Sequence, residues 1–141
     1  METLPAFFAP VVAMVGLTLV VWLWMYATRL TTLFRSGANP QDLADDEKFD
    51  AILGAVKDPS DNFSNHFEIP ILFHLGMIVA FVAGFADETY TKLGWAFVVF
   101  RALHSLVHLT SNRIRFRFAT YLFASIAMWA IWFRIAIRVF A

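Results

Sequence analysis

Positions 3 to 28 contain no charged residue. As a helix such a run rises about 39 Å, more than the roughly 30 Å of a bilayer's hydrocarbon core. A soluble domain has no use for an element this long and apolar on every side, so the run is expected to span a membrane, tilted or projecting, and to end by about Phe34. It is too long for a signal-peptide core and lacks a basic start, which reads as a retained helix. Pro5 and Pro10 stand near its beginning, where proline is best tolerated, and Trp22, Trp24 and Tyr26 near its end, where aromatic rings anchor at the interface. The remaining sequence supports the same class: 60% of residues are hydrophobic, above the roughly half expected of a soluble domain.

Three further apolar runs follow, at about 63–85, 91–112 and 115–139. Residues 35–62 between the first two are polar, with seven acidic residues and turn-forming Gly37, Pro40, Gly54 and Pro59. This is expected to be an aqueous connector with one weakly amphipathic segment around Phe49 to Val56. The prediction is an all-α transmembrane four-helix bundle in one domain over residues 1–141. Arg29, Arg35, Lys48, Lys57, Arg113, Arg115 and Arg117 flank one side, against Lys92, Arg134 and Arg138 on the other. The first side is therefore expected to be cytoplasmic, with both termini opposite, in the inner membrane if the source is bacterial. Arg134 and Arg138 are expected to snorkel to the far interface or to meet lipid phosphate. Nucleic-acid binding has no support, since the net charge is zero and the basic residues flank apolar runs. There is no cysteine, so any thiol chemistry needs a thiol carried by a cofactor or substrate.

The third run is the exceptional one. At about 100° per residue, Arg101, His104, His108 and Asn112 fall within roughly 80° of arc and form a polar stripe on an apolar rod. Ionisable groups at membrane depth are costly and mark functional sites by default. Two readings are open for Arg101, a buried ion pair with Glu68 or a ligand contact. Two are open for the histidines as well. Neutral rings hydrogen-bonded across helices are favoured, and the alternative is a metal site with Glu68 as third ligand. Arg113, Arg115 and Arg117 fit an ordinary basic flank, but only Arg117 has Tyr121 one turn later on the same face.

Three local patterns in order resemble the MAPEG family, the membrane-associated proteins of eicosanoid and glutathione metabolism, and in particular its bacterial members. Ala38-Asn39-Pro40-Gln41-Asp42 is similar to the family's segment after the first helix. Asn65-x-x-Glu68 with Pro70 is similar to its second-helix motif, and Arg101-x-x-His104-x-x-x-His108 followed by Arg113, Arg117 and Tyr121 to its third-to-fourth-helix motif. The resemblance covers nearly the whole chain and implies a homotrimer with glutathione bound between subunits at the cytoplasmic side. It implies Arg117 as the thiolate-stabilising catalytic residue and Asn65 and Glu68 as contacts to the glutathione backbone and amine. Tyr121 becomes a ring contact, and Arg101, His104, His108 and Arg113 the rest of the binding set. The implied activity is transfer of glutathione to, or reduction with it of, a lipophilic electrophile or hydroperoxide dissolved in membrane lipid. No metal is implied. Two positions depart from the family pattern: Asp61 stands where an arginine is usual and would repel a ligand carboxylate, and His108 where tyrosine is frequent. The alternative function is a non-catalytic membrane trimer held by a structural polar network or a histidine-based metal site.

Overall fold

The computed structural model describes residues 3–141, and among these every regular element is helical. α1 is Leu4–Ser36, 33 residues, two beyond the expected end. It stops because Gly37 takes the left-handed conformation, φ 65°, that an L side chain resists.

The connector differs from expectation. It is built of short helices: a 3-10 turn at Pro40–Ala44, α2 at Asp46–Leu53, a second 3-10 turn at Gly54–Val56, and α3 at Lys57–Ser64. Side-chain caps account for the first two. Asn39 accepts from the Gln41 amide and Asp45 from the Lys48 amide, both at 3.0 Å, and Asp46 and Glu47 lie in the first turn of α2, where negative charge is favourable. Leu53 buries the apolar side of α2, while the Arg29 guanidinium lies 5.5 Å from the Phe49 ring centroid. The weakly amphipathic segment expected around Phe49 to Val56 falls on the end of α2 and the turn after it, and the caps extend it into a helical lobe.

The second span also differs. α4 covers Ile69–Val82, preceded by a 3-10 turn at Asn65–Phe67 and a break at Glu68, φ −103° and ψ −106°. Pro70 causes this boundary: it has no amide hydrogen and restricts the residue before it, so it belongs in a first helical turn and not about two turns inside a helix starting at 63. The 14 residues of α4 rise only about 21 Å. The irregular backbone at 65–68 therefore falls near the edge of the apolar zone, where it is tolerated only when packed in protein or lining a cavity.

α5 is Glu88–Leu109 and α6 is Ile114–Phe140; they form an antiparallel hairpin closed by Thr110–Arg113. Three stretches, Leu4–Ser36, Asp46–Val82 and Ile114–Phe140, are long and apolar enough to cross a membrane. α5 has the length, but its polar stripe dilutes its apolarity. That stripe faces inward: Arg101, His104, Ser105 and His108 are buried, while Val99, Leu103 and Leu106 are exposed. The protein is thus a transmembrane four-helix bundle whose third helix hides its polar side in the bundle.

The core draws on all four long helices, with Phe7, Met14, Phe73, Met77, Phe97, Met128 and Ile131 almost fully buried. Phe73 and Phe97 stack with centroids 4.3 Å apart. Close helix contact depends on Gly94, where an added Cβ would lie 2.9 Å from Pro10 Cγ. Below this core is a polar layer. His66 Nε2 lies 3.1 Å from Ser105 Oγ, which donates to Asn62 Oδ1 at 3.2 Å, and Thr18 Oγ1 is 2.9 Å from His66 Nδ1. Thr18 Oγ1 also donates to the Met14 carbonyl at 3.0 Å, so with His66 protonated on Nε2 the Thr18 hydrogen is shared between that carbonyl and Nδ1.

At the end of the bundle away from the lobe, Arg134 and Arg138 both meet Asp87 Oδ2, Arg138 at 2.8 Å. The other carboxylate oxygen caps α5, accepting from the Thr89 and Tyr90 amides at 3.0 and 3.3 Å. Burial opposes the charge, but the hydrogen bonds from Arg134 and the two amides, together with the Arg134 charge, outweigh it and hold the carboxyl below the usual range. A carboxyl depressed on folding stabilises the fold above its unfolded value, about 3.9, and that contribution is lost as pH falls through the lower folded value. Asp87→Asn keeps the cap and should show a stability deficit at neutral pH that closes in acid. Asp87→Ala should cost about 1 kcal/mol more through the lost cap. Thermal unfolding in mild detergent across pH checks both; parallel curves for wild type and Asp87→Asn would contradict the pairing.

Candidate functional site

At the lobe end, the break before α4 and the start of α6 enclose a cavity of about 260 Å³, lined by Asn65, Glu68, His104, Ile114, Arg117, Phe118 and Tyr121. Five of these are residues to which the sequence assigned a site role. The irregular turn at 65–68 turns Asn65 and Glu68 toward the cavity, and the first two turns of α6 present Arg117 and Tyr121 from one face.

Arg117 is half-buried and held from several sides. Its Nη1 donates to Asn112 Oδ1 at 3.0 Å and to His108 Nε2 at 3.2 Å, and its carbonyl accepts from His104 Nδ1 at 3.0 Å. Among the described residues its Nε and Nη2 have no hydrogen-bond partner in the protein, so up to three N–H groups remain for a ligand. The histidines thus serve Arg117: His104 is protonated on Nδ1, and His108 offers its Nε2 lone pair to the guanidinium. Glu68 does not join them as a third metal ligand, and among the described residues no three metal-binding side chains converge.

Arg101 is wholly buried and lies behind the cavity wall. The Glu68 ion pair, one of the two readings open for Arg101, is absent from the ion pairs of the described residues; Glu68 is exposed, and Arg101 Nη2 donates at 2.8 Å to the Asn65 carbonyl. The break at Glu68 explains this, because the backbone there leaves a carbonyl free at membrane depth that a guanidinium can satisfy. The guanidinium carbon is 6.0 Å from the Tyr121 ring centroid, while Nε and Nη1 are buried without partners. Arg101 therefore supports two residues of the cavity wall from behind.

Two other expected groups lie elsewhere. Arg113 is the exposed residue at the N-terminal boundary of α6 and borders a separate cavity of about 740 Å³ with Ser111, Arg115 and Phe116. Asp61 is exposed on α3 and outside the cavity lining. Asp42 pairs with Lys48 at 2.8 Å, whose hydrogen bond and charge hold its carboxyl low, and it too stays clear of the cavity. Asn112 and His66 were given no site role from sequence. Asn112 was visible as the end of the polar stripe. The only signal for His66 was a polar residue between Asn65 and Glu68 at the head of an apolar run.

The arrangement combines one anchored guanidinium, an exposed carboxylate, an amide and an aromatic ring with the apolar rim of Ile114 and Phe118. It suits a small zwitterionic molecule carrying an anionic group, approached from the side by something apolar. No curated protein and no solved structure matches the chain. The sequence model of the MAPEG family does, over residues 7–137, which takes in every residue of the cavity and nearly all of the four long helices. On that match the chain belongs to the MAPEG family.

Proposed function

We propose that this protein binds glutathione in the cavity between the α4 break and α6, as a homotrimer with neighbouring subunits closing the site at the cytoplasmic side. There it activates the thiol for attack on a lipophilic electrophile or hydroperoxide. The observation that carries the reading is Arg117: its guanidinium is anchored through Nη1 alone, with Nε and Nη2 left for a ligand. A fixed positive charge beside sulfur favours thiolate over thiol, and the thiolate is the nucleophile. Glu68 is an exposed carboxylate suited to the ligand's ammonium group, and Asn65 offers donors and an acceptor to its peptide groups. Glutathione carries two carboxylates, and the second is assigned to a cation of the neighbouring subunit. Tyr121 limits the space beside Arg117, and Ile114 and Phe118 form the side open to an acceptor arriving from lipid.

In the transfer reaction a carbon–sulfur bond forms while the electrophile's leaving group departs with its electron pair, or an activated double bond takes up a proton. With a hydroperoxide, the O–O bond breaks, an alcohol is released, and a second glutathione completes the reduction to disulfide and water. Arg117 has the same part in both, holding sulfur charged at the point of attack.

A second reading, a trimer without catalysis, is favoured by the Arg101 Nη2 bond to the Asn65 carbonyl and by the Thr18–His66–Ser105–Asn62 chain, which tie α1, α3, the 65–67 turn and α5 together. Calorimetric titration of the detergent-solubilised protein with glutathione, paired with ultraviolet detection of thiolate, separates the two. Saturable binding with thiolate absorbance at pH values where free glutathione is a thiol is expected. Absence of both leaves the structural reading standing.

A further inference from the structure

We propose that Asn112 is a positioning residue for Arg117 and is itself held by Asp58, so that the acidic lobe before the second span sets where the guanidinium sits in the cavity. This rests on the role given to Arg117 above. Asn112 Oδ1 accepts from Arg117 Nη1 at 3.0 Å, and Asn112 Nδ2 donates to Asp58 Oδ2 at 3.0 Å. The two partners fix the amide's orientation: reversed, its NH2 would face a guanidinium and its carbonyl a carboxylate, losing both bonds. The order carboxylate, amide, guanidinium therefore reads in one direction, from α3 through the α5–α6 turn to α6.

The backbone supports the same assignment. Asn112 is the one non-glycine residue with positive φ among the described residues, at 43°, and its amide closes α5 by donating to the Val107 carbonyl at 2.7 Å. Glycine fills such a position with less strain, and asparagine is among the few side chains that tolerate it. A side chain kept there with both ends of its amide engaged has a use beyond the turn. His108 Nε2, at 3.2 Å from the same Nη1, steadies the guanidinium from α5, and His104 holds the Arg117 carbonyl. Asn112 is the member of this group that reaches outside the α5–α6 hairpin. Arginine is long and rotamer-rich, and a charge free to swing away from the sulfur stabilises thiolate less, so anchoring it beforehand favours the reactive form.

The test uses the full-length protein in detergent, with glutathione Kd, the pH profile of bound thiolate and thermal stability measured on each variant. Asn112→Gly keeps the backbone conformation and removes the amide; it should bind glutathione within about threefold of wild type yet hold about tenfold less thiolate at neutral pH. Asp58→Asn removes an exposed, partly screened anchor and should lower thiolate by about two- to threefold. Asn112→Asp sets two carboxylates against each other and should lose the effect. Combining it with Asp58→Asn restores a donor facing an acceptor in the opposite sense and should return thiolate to within about twofold of wild type. A purely structural turn residue would change the melting temperature and leave the thiolate profile of every folded variant alone. A wild-type profile in folded Asn112→Gly, or failure of the double substitution to rescue Asn112→Asp, overturns the proposal. If Asn112→Gly does not fold, the rescue pair decides. Absence of thiolate in the wild type would overturn the role of Arg117 and this proposal together, and it would be seen before any variant is made.

Discussion

Replacing Arg117 with alanine is expected to lower glutathione-dependent turnover by about 10²- to 10³-fold, the usual consequence of deleting a preorganised donor aimed at developing or reactive negative charge. The guanidinium is held by Asn112 and His108 before any ligand arrives, so little reorganisation is needed when sulfur becomes anionic. If its stabilisation is felt chiefly during attack, kcat and kcat/KM should fall together with little change in KM. The fold should survive, because the side chain is only half-buried and its two hydrogen bonds are worth about 1–3 kcal/mol together. Arg117→Lys should recover part of the activity, since an ammonium keeps the charge but not the planar fork that bonds Asn112 while leaving other donors free. Steady-state kinetics with a lipophilic electrophile, alongside thermal unfolding, provides the check. An alanine variant within about threefold of wild type would remove Arg117 from the chemistry, since that corresponds to under 1 kcal/mol of barrier.

Gly94→Leu is expected to be the most damaging single change to the fold. A Cβ at position 94 would lie 2.9 Å from Pro10 Cγ and 3.2 Å from Pro10 Cβ. A pyrrolidine ring cannot rotate out of the way as a leucine or methionine would, so α1 and α5 must separate as helices. Lipid offers no relief. Association of helices in a bilayer rests on close packing and hydrogen bonding, because the apolar surface is equally comfortable against acyl chains. Overpacking costs about 1–3 kcal/mol, occasionally more; Gly94→Ala should fall within that range and Gly94→Leu beyond it. Gly76→Ala is the comparison. Its Cβ would meet Ile131 Cγ2 at 3.1 Å and Trp132 Nε1 at 3.2 Å, side-chain atoms that can shift by a few tenths of an ångström, and it should cost less. Equal stability of Gly94→Ala and wild type in mild detergent would show that α1 and α5 do not approach this closely.

These residues also show what could be read from sequence. The charge-free run from 3 to 28 identified the first helix, and the three-and-four spacing of Arg101, His104 and His108 identified a face of α5 that the structure buries. Arg117 and Tyr121, one turn apart, line the same cavity as Asn65 and Glu68. The partner of Arg101 was not legible. Charge matching selects Glu68, whereas the acceptor is the Asn65 carbonyl, and a backbone oxygen becomes available only once the chain departs from regular helix. The run at 63–85 was read straight through Pro70, and nothing local showed that the turn before it would be 3-10 and point its carbonyl inward. The capped helices of the lobe were obscured in the same way, since Asn39 and Asp45 read as loop residues until their oxygens are seen on the amides of Gln41 and Lys48. Arg113, basic and close to Arg117 in sequence, lines a cavity separate from that of Asn65 and Glu68.

The chain from Thr18 through His66 and Ser105 to Asn62 carries a consequence for biosynthesis. Its members come from α1, the lobe and α5, and His66 and Ser105 are 39 residues apart. At roughly 5–20 residues per second, about 2–8 s separate the emergence of His66 from that of Ser105. During that interval His66 has only Thr18, and both it and Asn62 lack the Ser105 hydroxyl. Completion of the third span does more than add a helix, because it supplies the hydroxyl that joins His66 to Asn62.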